Sequence, residues 1–121
     1  MPDKTEKQLY ILLLSIHGLI RGKNLELGRD ADTGGQTKYV AELAQKLSDH
    51  PLIKRVDIVT RQIFDNKVDS IYSQKEEQIA ENAFIIRIPC GPNRYLRKEI
   101  LWNYLDSFSD QLIQHIRHIG D

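Results

Sequence analysis

Leu9-Tyr10-Ile11-Leu12-Leu13-Leu14-Ser15-Ile16 is an almost unbroken apolar run, and beyond it Tyr39, Val40, Leu43, Ala44 and Leu47 recur at helical spacing. A strand-length apolar run followed by an amphipathic helix is the start of a β–α unit. Such units build α/β folds with a mostly parallel sheet. Because the run is apolar on both faces, it reads as a buried central strand, about Gln8 to His17, covered by helices on both sides.

Asp32-Thr33-Gly34-Gly35-Gln36 joins that strand to the helix, which we place at about Gly34 to Asp49. Two glycines in a first helical turn each cost on the order of 1 kcal/mol relative to Ala. They make sense where a ligand must approach the backbone closely and the free amides attract anions. Thr33 and Gln36 also match a capping box, a purely structural role that leaves the glycine pair unaccounted for. In open parallel sheets, ligands bind outside the carboxyl ends of the strands, where this turn lies. The turn lacks both the dinucleotide G-x-G-x-x-G pattern and the Walker lysine with its Ser/Thr. A sugar or sugar phosphate, held by backbone amides and Gln36, suits it better than a nucleotide.

Downstream, His50-Pro51 breaks the helix and Arg55–Thr60 forms a second strand. Arg61 to Asn82 is polar, a loop with a short strand or helix. Ala83–Pro89 makes a third strand, followed by a Cys90–Asn93 turn. From about Arg97, Ile100, Leu101, Tyr104, Leu105, Phe108, Leu112, Ile116 and Ile119 trace one helical face, with Gly120 as a stop. The fold expected is α/β in three layers, with a mostly parallel sheet between helices. The chain stops where the next strand of such a sheet would begin, so residues 1–121 are expected to be the front of a larger domain.

Candidate site residues cluster at strand ends. His17 closes the first strand, where a histidine either packs structurally or faces the ligand crevice. The long connection Gly18 to Asp32 carries Arg21, Lys23 and Arg29 against Glu26, Asp30 and Asp32. It reads equally as a solvated loop of weak ion pairs or as a lid with basic residues near an anion. Arg94, Arg97 and Lys98 precede or open the last helix, where positive charge opposes the helix dipole. An anionic ligand would resolve that conflict, and Arg suits phosphate capture. Arg61 and Gln62 follow the second strand and are expected at the same crevice. Trp102, Tyr104 and Phe108 read as packing residues, Lys75-Glu76-Glu77 as a solvated face, and Cys90 as a small buried residue.

Several classes of function find no support. Seventeen basic residues balance 17 acidic ones, so no net field draws the chain to nucleic acid or an anionic membrane. No run approaches a membrane span, and Met1 to Gln8 is too polar for a secretory signal. One cysteine cannot form an intrachain disulfide and fits a reducing compartment, so a soluble cytoplasmic protein is expected. No ligand set for a metal and no nucleophile elbow occurs.

Ser15-Ile16-His17-Gly18-Leu19-Ile20-Arg21-Gly22 and Asn24 to Val40, with their G-R-D-x-D-T-G-G-Q phrase, closely resemble the N-terminal segment of the sucrose-phosphate synthase family. Val56–Ile63, Ile86–Pro92 and Lys98–Trp102 look like later signatures of that family. Sucrose synthase shares the D-T-G-G-Q core but lacks the preceding wording. The resemblance implies a retaining glycosyltransferase with two Rossmann-like domains facing across a cleft, the GT-B arrangement. It further implies transfer of glucose from UDP-glucose, as co-substrate, to fructose 6-phosphate, giving sucrose 6-phosphate and UDP. This segment would supply the acceptor side, with the C-terminal domain as its partner and no cofactor of its own. By the same resemblance, Gly34, Gly35 and Gln36 contact the reacting sugar and His17 and Arg21 line the pocket. Arg94 or Lys98 meets the phosphate, where the family commonly carries an Asp-Lys pair and this chain reads Asn93-Arg94. No catalytic residue is expected within the segment, which should be inactive alone. The alternatives are a sucrose synthase, taking free fructose, and a non-catalytic sugar-phosphate-binding module.

Overall fold

A computed structural model of the chain describes residues 9–17, 19–22, 35–66, 69–96 and 98–120. Four strands form one sheet: β1 (Leu9–Leu14), β2 (Ile53–Arg61), β3 (Glu76–Ala80) and β4 (Ala83–Ile88). Their order is β1-β2-β4-β3. β1, β2 and β4 run parallel, while β3 returns antiparallel to β4. Helix α1 (Gly35–Ser48) crosses from β1 to β2, and α2 (Lys98–Leu101) and α3 (Leu105–Gly120) follow β4. The α/β class and the mostly parallel sheet are therefore as the sequence pattern requires.

Strand alternation divides the core. Val56, Ile58, Ala83 and Ile85 pack with Ile20 and Ala44 on the α1 face, while Val59, Ile86 and Ile88 pack with Cys90 and Phe108 on the α3 face. Fully burying each large aliphatic side chain is worth about 1.5–3 kcal/mol, so this two-faced core is the main driving force. A third cluster, Leu19, Ile63 and Tyr72, caps one edge of the sheet.

The central strand is β2, not β1. β2 is hydrogen-bonded on both sides and buried from Val56 to Arg61. β1 forms an edge among the described residues, with Leu14 57% exposed. Apolar residues on both faces report cover above and below a strand, but not whether it has neighbours on both sides.

The ambiguous polar stretch becomes a 3₁₀ turn, Ser70–Ser73, followed by β3. Asp69 caps that turn by accepting from the Ile71 amide at 3.0 Å. The last helical pattern is interrupted by a 3₁₀ turn at Trp102–Tyr104. Phe108 is buried and Tyr104 half-buried, as expected of packing residues, but Trp102 is 73% exposed. Among the described residues, no helix is long and apolar enough to cross a membrane.

Candidate functional site

Parallel pairing makes β1, β2 and β4 end at the same edge of the sheet. Since α1 delivers the chain to the start of β2, its first turn lies at that edge too. The segments after the strands, Ser15–His17, Gln62–Asp65 and Pro89–Leu96, meet there. Gly35 and Gln36 stand in the first turn of α1, and Lys98 is the first residue of α2. Gly34, the Thr33 half of the capping box, and the Gln36 and Lys98 side chains lie outside what is described.

His17 is oriented by its neighbours. Its Nε2 donates to the Leu96 carbonyl at 2.9 Å, which fixes a proton on that nitrogen, and its ring tilts against Tyr95 with centroids 5.5 Å apart. One side of His17 lines a cavity of about 460 Å³ with Leu14, Ser15, Ile16, Leu101, Trp102 and Leu105 among its walls. Arg21 lies elsewhere. It donates to Asp69 at 3.2 Å, sits over the Tyr72 ring, and borders a separate cavity of about 350 Å³ with Gln45 and Glu77. The Ile71 amide and then Arg21 hold the Asp69 carboxyl below its ordinary range.

Arg94 is exposed at the tip of the loop after β4, and that loop is fixed from beneath. Arg61, expected in the crevice, is instead buried and 3% exposed. Its guanidinium donates to the carbonyls of Cys90 at 3.3 Å, Pro92 at 2.5 Å, and Arg94. Burial pushes its pKa down from the usual arginine value, and Arg94 adds repulsion. Gln62 is buried too, its amide group donating to the Ser73 carbonyl at 2.5 Å. The Phe64 amide bonds Asn93 O at 2.7 Å, and the Tyr95 amide bonds Asp65 Oδ2 at 3.1 Å. Within the loop, Gly91 has φ of +68°, and a Cβ there would lie 2.8 Å from the Tyr104 ring, so only glycine fits.

Two buried charge clusters escaped the sequence reading. Arg87 donates to Glu77 Oε1 at 2.7 Å and to the Ile20 carbonyl at 2.9 Å, while Glu77 Oε2 accepts from the Gly22 amide at 2.8 Å. Glu77 is therefore no solvated bystander: the pair ties the segment after β1 to β3 and β4. Asp57, fully buried in β2, accepts from Tyr10 Oη at 2.6 Å, Arg55 Nε at 2.8 Å and His115 Nε2 at 2.9 Å. Burial, then the hydrogen bond to Asp57, drives the Tyr10 pKa well above the usual phenol range. The available signal was a charged residue inside an apolar strand, since a buried charge needs a partner. Burial raises the Cys90 thiol pKa against the opposing pull of Arg61, in keeping with a packed, inert cysteine. Among the described residues, no group of three or more His, Cys, Asp or Glu side chains forms a metal site.

No family model matches the chain. Against curated proteins the likeness is extensive. The sucrose-phosphate synthase of Zea mays is 49% identical over 98% of this chain, and that of Spinacia oleracea is 47% identical over 95%. By sequence, the chain is closely similar to one segment of sucrose-phosphate synthases. A probable sucrose-phosphate synthase of Vicia faba is 50% identical over 91% of the chain. The chain spans only 12% of the length of each of these relatives. Alignment with the maize protein covers 131 positions against the 121 residues here, so the maize sequence carries insertions relative to this one.

Proposed function

We propose that this chain forms the acceptor side of a cytoplasmic retaining glycosyltransferase that moves glucose from UDP-glucose to fructose 6-phosphate, yielding sucrose 6-phosphate and UDP. Residues 1–121 would be an incomplete N-terminal Rossmann-like domain facing a second such domain, which holds the nucleotide sugar. The segment needs no cofactor of its own. Among the described residues β1 has no partner on its outer side, and its half-exposed apolar edge is suited to another strand, which supports that reading.

In this reading, Gly34, Gly35 and Gln36 present amides and a carboxamide to the acceptor sugar at the start of α1. His17 lines the pocket floor, while Arg21, paired with Asp69 and bordering a separate cavity, falls outside it. Arg94, with Lys98 at the start of α2, offers charge to the acceptor phosphate. The observation that carries the reading is Arg94, an exposed guanidinium on a rigidly held loop at the carboxyl edge, within a chain so similar to sucrose-phosphate synthases.

The test uses the full-length transferase containing this segment. A charge-assisted hydrogen bond is worth about 1.5–3 kcal/mol, so Arg94→Ala with Lys98→Ala should raise the KM for fructose 6-phosphate at least ~10-fold. Activity on free fructose should change little. Equal losses with both acceptors would refute the assignment. The 121-residue chain by itself should form no sucrose 6-phosphate from the two substrates.

A further inference from the structure

Arg61 stands out among the groups that the proposed chemistry leaves unused. It is the last residue of β2, buried, and its guanidinium meets backbone carbonyls of the Cys90–Arg94 loop. Carbonyl dipoles offset a buried cation only in part. The guanidinium also bonds the backbone carbonyl of Arg94, whose own side chain is exposed. A buried cation that fixes the backbone of an exposed arginine is a favourable arrangement for a loop that receives an anion.

We infer that Arg61 is a positioning residue that sets this transferase's preference for a phosphorylated acceptor, fixing the loop that carries Arg94 and adding a buried positive charge beneath it. The inference rests on the acceptor-phosphate reading above. Arginine is required here because its planar fork reaches several carbonyls at once, whereas a lysine ammonium is a single point of charge. The loop has little freedom to find the same shape otherwise. Gly91 is pinned against Tyr104, Asn93 O is bonded to the Phe64 amide, and Leu96 O receives the His17 proton. Loss of Arg61 would therefore release the carbonyls of Cys90, Pro92 and Arg94 while leaving Asn93 and Leu96 attached.

Steady-state kinetics on the full-length transferase containing this segment test the inference, with fructose 6-phosphate and fructose as alternative acceptors. Arg61→Gln should raise the KM for fructose 6-phosphate at least ~10-fold, with kcat changed less than ~3-fold and the KM for UDP-glucose unchanged. The ratio of kcat/KM for the two acceptors should fall by the same factor. Arg61→Lys, which keeps the charge, should recover part of that ratio; it also serves if Arg61→Gln does not fold. A parallel loss with both acceptors, or an unchanged ratio, overturns the inference. Arg94→Ala separates the two levels: if it lowers the ratio and neither Arg61 variant does, only the role of Arg61 fails. If Arg94→Ala also leaves the ratio intact, the acceptor-phosphate reading fails with it.

Discussion

Asp57 and Glu76 share one partner, Arg55, and the structure ranks them differently. Asp57 is fully buried and takes three donors, from β1, β2 and α3. Glu76 approaches Arg55 Nη2 at 3.6 Å, and its side chain is 55% exposed. Asp57→Asn keeps the volume but removes the charge, turning three charge-assisted bonds into neutral ones or mismatches. A charge-assisted bond is worth about 1.5–3 kcal/mol and a neutral one about 0.5–1.5, so a loss of about 1 kcal/mol per donor follows. The sum is about 3 kcal/mol, tempered because Arg55 is partly exposed and can turn to water or Glu76. Glu76→Gln disrupts only a solvent-screened pair and should cost under about 0.5 kcal/mol. For a chain of this size, unfolding entropy of about 2 cal/mol/K per residue converts 1 kcal/mol into roughly 4 °C of Tm. Urea denaturation and thermal melts of the two variants should therefore differ by roughly 10 °C. Equal destabilisation, or less than about 1 kcal/mol for Asp57→Asn, would refute the claim that the buried carboxylate holds α3 and β1 to the sheet.

Two further outcomes follow from single groups. The Thr60 hydroxyl is buried without a hydrogen-bond partner among the described residues, so Thr60→Val should raise stability by about 1 kcal/mol in the same urea assay. A loss of stability would mean that the hydroxyl is satisfied in solution. Because the folded state raises the Tyr10 pKa, folding favours the protonated phenol. That stabilisation is complete below the unfolded value near ~10 and is lost as pH rises above it. Tyrosinate absorbance should accordingly show a late-titrating component that Tyr10→Phe removes, and the alkaline decline in stability should flatten in the same variant.

The elements of this fold were legible wherever periodicity was strong. The strand over Arg55–Thr60, the strand starting at Ala83 and the helix after Gly34 stand within a few residues of their expected places. β3 was legible only as an unplaced short strand or helix within Arg61 to Asn82, because Glu76-Glu77-Gln78 reads as solvated surface and only pairing with β4 makes it a strand. Trp102 fitted the apolar stripe of one continuous helix. The 3₁₀ turn at Trp102–Tyr104 breaks the 3.6-residue period there, and Trp102 faces outward while Phe108 faces in. Strand ends carried most of the site expectation, since parallel pairing alone brings them to one edge. The separation of Arg21 from the His17 cavity was invisible, because it depends on Asp69 and Tyr72, some 50 positions away in the chain.

Asp57, Arg61 and Arg87 are three charges set within apolar strands, and each ties a different part of the chain to the sheet. Asp57 fastens α3 through His115, Arg61 fastens the loop after β4, and Arg87 with Glu77 fastens the segment after β1. Hydrophobic burial is non-directional and would hold these pieces near the sheet in many arrangements. A buried charge is not indifferent, because any arrangement that leaves it unpaired costs several kcal/mol. Two of the three, Arg61 and Arg87, hold segments at the carboxyl edge, where the proposed acceptor site needs a defined shape. Sequence alone could announce that each charge required a partner; only the strand register decides which loop each one holds.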